Sequence, residues 1–232
     1  MYKLIPRVPS TLQPLADKIE NCVVEAALKE IEKVVEAERI EANATASVPA
    51  SSRRRVPTGP SPKVYVHTLL SVFYKFNYVV TLAFSRDAIF IKALDNACRH
   101  YINKNPIANP TPRLSCRTPD LLARYADTFL KATAKEADIA DMSVDLLMII
   151  FKFLDDKDAF EEYYRRLLAK RLINLNTKLD ELEEGIIQRL QEENSLEYTL
   201  KMTKMFQDMK ASEDLKGPVK AEMQHDTAVR DF

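Results

Sequence analysis

The sequence is poor in several features that other classes of protein need. It contains three glycines and no tryptophan in 232 residues, so it lacks the glycine-rich loops that hold phosphates and nucleotides. Basic and acidic residues balance at 34 each, so there is no overall positive field for nucleic acid. Because 46% of the residues are hydrophobic, the chain can still bury a sizeable core, and disorder is not expected.

Signals for metals, disulfides and membranes are missing as well. Cys22, Cys98 and Cys116 form no CxxC pair, and the three histidines are equally scattered. A zinc site needs ligands at short spacings, so we predict no metal, no cofactor, and reduced, mostly buried thiols. No uncharged apolar run reaches the length of a membrane span, and the first residues lack the apolar core of a signal peptide. We expect a soluble protein of the cytoplasm and nucleus.

What the chain does contain is helical periodicity. Few glycines and many Ala, Glu, Lys and Leu residues favour helix throughout. In residues 1–110 we predict helices at about 10–41, 62–84 and 86–104, with a flexible loop at 43–61. The prolines of residues 106–119 mark a boundary, and further amphipathic helices are predicted in residues 111–232.

The predicted helix starts are marked by side chains that can cap an N-terminus. An oxygen of such a side chain accepts a hydrogen bond from an unpaired amide of the first turn. The predicted caps are Ser10, Ser61, Ser85, Thr118, Asp156, Thr177 and Ser195. Gly185 lies inside a later helical segment, where it should cost about 1 kcal/mol relative to alanine.

Residues 155–172 form the segment around which the other helices are expected to pack. Acidic residues at its start and basic residues at its end complement the helix dipole. Glu161 and Arg165 are spaced i to i+4, as are Glu162 and Arg166. The apolar residues recur at helical spacing and form one stripe: Phe160, Tyr163, Tyr164, Leu167, Leu168 and Leu172. The pattern predicts a helix packed along one side, without a catalytic motif.

Two charged stretches have alternative interpretations. A run of arginines beside serines is either a nuclear-import or phosphoregulated patch or, as we prefer, an exposed loop kept soluble by its charges: Arg53, Arg54 and Arg55. Acidic residues at helical spacing are interpreted as a solvated face rather than a catalytic pair: Glu181, Glu183, Glu184, Glu192 and Glu193.

Four segments carry motifs that resemble one family. A signature helix matches at eight positions: Lys157, Asp158, Phe160, Tyr164, Leu168, Ala169, Arg171 and Leu172. Residues 90–105 and 119–125 match two further blocks, and residues 197–209 match a fourth, although Ser195 and Leu196 replace its usual Cys-Gly pair. These segments resemble the cullins, the elongated scaffolds of multi-subunit ubiquitin ligases.

The resemblance implies an all-α, elongated fold. Residues 1–110 would be the end of the third cullin repeat, and residues 111–232 part of the four-helix bundle. It also implies a non-catalytic scaffold fragment of a cullin-RING ubiquitin ligase of the Skp/F-box type, acting in ubiquitin-dependent protein catabolism. The implied partners are other ligase subunits, with no nucleic acid and no membrane. Because no counterpart of the adaptor-docking repeat or of the RING-box-binding region is recognised, we expect a truncated chain that is inactive or interfering alone.

The sequence is also compatible with one other class of function. The alternative to a ligase scaffold is a stand-alone helical interaction module, unrelated to ubiquitin transfer, that presents an exposed apolar face to its partner. An enzyme is not predicted, because the sequence shows no nucleophile with an oriented base and no phosphate-binding loop.

Overall fold

The computed structural model describes residues 12–46, 60–109, 115–132, 137–173 and 180–230. In these ranges the regular structure consists of eight α-helices. They are α1 (Leu12–Ala46), α2 (Pro62–Ala83), α3 (Ala88–Asn103), α4 (Thr118–Ala132), α5 (Ala137–Lys152), α6 (Lys157–Ile173), α7 (Asp180–Glu193) and α8 (Leu196–Arg230). The all-α prediction is confirmed, whereas the Arg53–55 stretch and the predicted caps Ser10 and Thr177 lie outside the described residues.

Local sequence signals place most of the helix ends correctly. Ser61 precedes α2 with Pro62 at the first helical position, where the missing proline amide costs no hydrogen bond. At the start of α6, the Asp156 carboxylate accepts a hydrogen bond from the Ala159 amide at 2.9 Å. The Ser195 hydroxyl likewise accepts a hydrogen bond from the Tyr198 amide at 3.2 Å at the start of α8. The Asp156 and Ser195 side chains thus pair amides that the first helical turn leaves unpaired. Ser61 holds the N-cap position, but its side chain makes no capping hydrogen bond.

The prediction that Ser85 caps α3 was wrong. Ser85 and Arg86 adopt left-handed backbone conformations, with φ of 52° and 57°, and the Arg86 amide donates to the carbonyl of Val80 at 3.2 Å. This bond spans six positions, one more than the 6→1 bond of a Schellman turn, and it turns the chain away from the end of α2. Ser85 therefore lies in the turn after α2, and the N-cap of α3 is Asp87, whose carboxylate accepts from the Ile89 amide at 3.0 Å.

The first three helices pack closely because small residues lie between them. α1 packs against both α2 and α3. Ala16 and Ala27 on α1 are buried, as are Ala93 and Ala97 on α3, and their short side chains let helix backbones approach each other. At the α2–α3 turn, the rings of two phenylalanines stack with centroids 4.1 Å apart.

Each of the later helices, α4 to α8, contacts at least two other helices. α6 packs against α4 and α8, while α7 contacts α5 and α8. The first set of helices, α1 to α3, meets the second set, α4 to α8, where α2 contacts α4 and α5. Buried apolar side chains form one cluster that runs from Leu12 on α1 to Met202 on α8. The core is therefore continuous across residue 110, and the division into two domains at that point stays a prediction.

The first testable prediction concerns Gly185 in the interior of α7. A Cβ atom added at this position would meet no heavy atom within 4 Å, so alanine fits without strain. Gly185→Ala should raise the free energy of unfolding by about 1 kcal/mol, because glycine loses more backbone entropy in a helix. Urea denaturation monitored by circular dichroism measures the change.

The control is Gln188→Ala on the exposed side of the same helix, which should change stability by less than about 0.5 kcal/mol. A lower free energy of unfolding for Gly185→Ala would contradict this expectation and would show that the added methyl group disturbs the packing of α7.

Candidate functional site

Asn105 organises the turn that leaves α3. Its side-chain amide donates to the Tyr65 hydroxyl at 2.9 Å and to the Tyr101 carbonyl at 2.8 Å. Its side-chain oxygen accepts from the amides of Ile107 at 3.0 Å and Ala108 at 2.8 Å. Both halves of the amide group are used, so neither Asp nor Leu, which have a similar shape, could replace it. Asn105 thus fixes the course of the chain as it leaves α3.

Thr118 and Tyr65 extend this network to α4 and α2. The Thr118 hydroxyl donates to the carbonyl of Ile102 at 2.8 Å and shares a hydrogen bond of 2.9 Å with the Tyr65 hydroxyl. Thr118 was predicted to be the N-cap of α4. It is instead the first helical residue, and the carbonyl of Arg117 accepts the first bond of the helix. The threonine hydroxyl is buried in the junction and does not cap the helix.

Asn103 joins the end of α3 to the turn between α5 and α6. Its side-chain amide donates to the Phe153 carbonyl at 2.8 Å, and its side-chain oxygen accepts from the Asp155 amide at 3.1 Å. Its main-chain carbonyl accepts from the Asn109 side chain at 2.6 Å. We call the four buried residues Tyr65, Asn103, Asn105 and Thr118 the polar joint. It connects α2, α3, α4 and the α5–α6 turn.

The ionisable groups at the joint stay in one protonation state. Burial raises the pKa of Tyr65 to about 12, although hydrogen bonds with Thr118 and Asn105 lower it in part. Burial also raises the pKa of Tyr101, whose hydroxyl donates to the Leu69 carbonyl at 3.3 Å. Both phenols are therefore neutral at physiological pH. The joint keeps its hydrogen bonds over the whole pH range in which proteins normally work.

A second polar group, which we call the ionic cluster, consists of Asp127, Tyr164, Arg171 and Glu183. The Arg171 guanidinium donates to Asp127 at 2.7 Å and also hydrogen-bonds Glu183. Glu183 in turn accepts from the Tyr164 hydroxyl at 2.7 Å. These four residues lie on α4, α6 and α7, and the Arg171 side chain is only 3% exposed. The cluster thus links three helices through buried charges.

The electrostatics of the ionic cluster explain why it tolerates burial. Desolvation by itself would lower the pKa of Arg171. The interactions of its guanidinium with Tyr164, Glu183 and Asp127 have a larger effect, so the pKa of Arg171 is raised above its usual value. Burial raises the pKa of Tyr164, and the neighbouring Glu183 carboxylate raises it further. Arg171 is therefore cationic, and Tyr164 is a neutral donor. A buried ion pair of this kind gives little net stability, but removing one partner leaves a buried charge uncompensated.

Sequence reasoning missed this cluster. Arg171 was predicted to complement the dipole of α6 and to belong to its signature, and Glu183 was placed on a solvated face, yet both are buried. Helical spacing gave a usable signal, because Arg171 follows Leu168 by three residues and Tyr164 by seven, which puts it on the apolar stripe. Glu183 likewise precedes the buried Ile186 by three residues. The pairing across helices could not be read from these positions.

The structure places the predicted signature residues on α6 as follows. Its buried side carries Phe160, Tyr164, Leu168 and Arg171. Lys157, at the first turn, donates to the Asn194 side chain at 3.1 Å. Ala169 and Leu172 are half-buried, and Asp158 is exposed. The predicted ion pairs of this helix, Glu161–Arg165 and Glu162–Arg166, are both present. The signature role of these eight residues stays a prediction.

The three cysteines differ in their exposure. Cys98 is buried, Cys116 is half-buried and Cys22 is exposed, and all three are free thiols. The expectation of buried thiols is therefore confirmed for Cys98, partly met by Cys116 and wrong for Cys22. Within the described ranges, no group of three or more His, Cys, Asp or Glu side chains could hold a metal ion. No helix in those ranges has both the length and the apolar character needed to cross a bilayer.

Comparison with known proteins gives the family. The cullin alpha solenoid domain matches residues 1–216. The chain belongs to the cullin family. It is 41% identical over 220 residues to cell division control protein 53 of Saccharomyces cerevisiae, covering 93% of this chain and 27% of that protein. It is 36% identical over 217 residues to Cullin-1 of Dictyostelium discoideum, covering 93% of this chain and 26% of that protein.

The family resemblance predicted from the sequence is thus confirmed. The chain spans about a quarter of the length of these curated relatives, with 26% of the Schizosaccharomyces pombe Cullin-1 covered as well. The polar joint and the ionic cluster therefore lie in a chain that matches one segment of these longer relatives.

A second prediction tests the polar joint with Asn105→Asp. The carboxylate cannot donate to the Tyr101 carbonyl, so we expect a loss of about 2–3 kcal/mol at pH 7. Burial raises the folded-state pKa of such a carboxyl above its unfolded value of about 3.9. The unfolded state then releases its proton first, so the loss should grow as the pH rises above about 4. Urea denaturation at several pH values measures it.

The matched control is the same amide-to-acid change at an exposed position of α8, Gln207→Glu, which should have a small effect at every pH. Equal destabilisation by the two variants would contradict a structural role for the Asn105 amide group.

A third prediction uses two neighbouring glutamates of α7. Glu183→Ala should destabilise the protein by about 3 kcal/mol, because Arg171 and Tyr164 lose a buried partner. Glu184→Ala is the control, since its side chain is 63% exposed and pairs with Lys210 at the surface. That change should cost less than about 1 kcal/mol. Denaturation curves that coincide for the two variants would show that the ionic cluster does not hold α7.

Proposed function

We propose that this chain is a non-catalytic scaffold segment of a cullin-RING ubiquitin ligase and acts in ubiquitin-dependent protein catabolism. Its membership of the cullin family carries the proposal. The structure supports a mechanical role, because the buried polar groups hold helices in fixed positions and none of them is arranged as a nucleophile with its base. Its partners would be the other ligase subunits, and it would work in the cytoplasm and nucleus.

The proposed mechanism is geometric. A ligase scaffold must hold a substrate-binding subunit and a catalytic subunit at a fixed separation, and a rigid connection raises their effective concentration for each other. α1 and α8 each contain 35 residues, which corresponds to about 50 Å of helix. Between these two helices, the polar joint and the ionic cluster connect elements from α2 to α7 by hydrogen bonds, which are directional and therefore resist sliding more than apolar contacts do. The segment would act as one rigid part of the spacer.

The polar joint supports a more detailed proposal about the domains. We infer that residues 1–110 form the end of the third cullin repeat and residues 111–232 form part of the four-helix bundle. Tyr65, Asn103 and Asn105 lie before this boundary, and Thr118 lies after it. The joint would then set the angle at which the repeat meets the bundle, and hence the direction in which the scaffold continues.

A second candidate function is a helical interaction module independent of ubiquitin transfer. One observation favours it: α2 exposes large apolar side chains, among them Tyr78 and Leu82. Such residues on a helix surface are common in docking faces. This function does not exclude the first, since a scaffold segment can carry an additional docking face.

The fourth prediction tests the scaffold function in a chimera. The chain replaces the matching 220 residues of the yeast relative, and reconstituted ubiquitin transfer is measured with the unmodified relative as the reference. We expect the chimera to retain transfer within about tenfold. Asn105→Ala in the chimera should reduce transfer while the subunits at both ends still bind, because only their relative position changes.

Asn96→Ala, on the exposed side of α3, serves as the control and should leave transfer unchanged. A folded chimera that binds the subunits at both ends but transfers no ubiquitin would overturn the scaffold proposal.

A further inference from the structure

α2 exposes an apolar surface that nothing in the described structure covers. Residues 64 to 85 contain no Asp, Glu or Arg, and Lys75 is their only lysine. In the C-terminal half of α2, Tyr74 is 46% exposed, Tyr78 66%, Val79 40% and Leu82 62%. We call these four residues the α2 face. Single exposed apolar residues are normal on a protein, but a contiguous set on one helix marks an interaction surface.

We propose that the α2 face is the docking site for a second copy of this chain, forming a symmetric dimer. This inference goes beyond the proposed scaffold function and does not depend on it. The argument rests on the shape of the face, its area and its charge.

The shape of the face is self-complementary. Tyr74, Tyr78 and Leu82 are spaced i, i+4 and i+8 and form one ridge along the helix. The next ridge consists of Lys75, Val79 and Ala83, and the small Ala83 leaves a shallow groove between the two. Ridges at i±4 spacing pack into the equivalent groove of a second helix at a crossing angle of about −50°. The nine residues from 74 to 82 span about 12 Å of helix, which is a suitable length for one such crossing.

The area matches a reversible dimer. A fully buried tyrosine contributes about 150–250 Å², so the exposed parts of the four side chains offer roughly 400 Å² in each copy. With the flanking residues, two copies would bury about 1,000 Å² in total, which is near the lower limit of a specific interface. We therefore expect a dimer that dissociates on dilution.

The charge of the face favours a second copy over a charged partner. In a symmetric contact centred between Tyr78 and Val79, the Cα atoms of the two Lys75 residues would lie about 10 Å apart along the helix axis. That distance is about one Debye length at physiological ionic strength, so their repulsion is largely screened. An acidic or basic partner would find only one charge to pair with. Tyrosine, by contrast, is enriched among the residues that dominate the energy of protein contacts.

The fifth prediction tests the dimer by sedimentation velocity over two decades of concentration. The wild-type chain should shift with concentration from its own mass of 26.5 kDa towards twice that mass. Leu82→Asp should weaken the dimer by roughly tenfold or more, because it places a carboxylate in the apolar contact. Leu82 is exposed, so the circular dichroism spectrum should stay unchanged.

Leu215→Asp is the matched control, because Leu215 on α8 is a leucine with the same 62% exposure. This change should leave the dissociation constant of the dimer unaltered. A second measurement uses Tyr78→Cys in a Cys22→Ser background, with a short bis-maleimide reagent. Cysteines near a twofold axis should crosslink into dimers, whereas Leu215→Cys in the same background should not.

Three outcomes would overturn the proposal. The wild-type chain could stay monomeric at every concentration, with the α2 face accessible to labelling. It could be monomeric with the face protected, which would show that other residues of the same chain cover it. It could also form a dimer that Leu82→Asp does not weaken, which would place the contact elsewhere.

Discussion

The relative position of the two sets of helices depends on the hydrogen bonds of the polar joint. A buried polar group costs free energy unless its donors and acceptors are paired, and here most partners are main-chain groups of other segments. If α4 slid along α3, Thr118 would lose the Ile102 carbonyl. If the α5–α6 turn moved, Asn103 would lose both Phe153 and Asp155. Apolar contacts alone tolerate such shifts, because the hydrophobic effect is not directional. The joint therefore selects one arrangement among several that the core would allow.

The ionic cluster applies the same principle to α7. Arg171 on α6 bonds carboxylates from α4 and α7 at once, so all three helices must be in place before its charge is compensated. An apolar residue of similar size in place of the charged groups could give equal or greater stability. What the charges add is a penalty for incorrect packing. For a chain proposed to act by holding partners at a fixed geometry, a penalty on altered geometry is more useful than additional stability.

Sequence patterns predicted the helices well where the decisive contacts are local. Asp156 caps α6 and Glu161 pairs with Arg165 because the partners lie within four residues of each other. Prediction failed where a residue has a choice of partners. Ser85 could cap a helix, but the short connection between α2 and α3 requires left-handed residues there, and Asp87 takes the cap. Thr118 could also cap a helix, but the carbonyl of Ile102 and the hydroxyl of Tyr65 are within its reach.

By itself, the sequence determined the all-α character of the described chain, the family to which it belongs and the inner face of α6. These properties follow from residue spacing and from contacts within a few residues, both of which are present in the linear order. Only the tertiary structure decided that Glu183 is a buried partner of Arg171, that four polar residues form a joint, and that Tyr78 and Leu82 stay exposed. Burial and pairing of this kind depend on which helices meet, and contacts between residues 12 to 53 positions apart leave no periodic trace in the sequence.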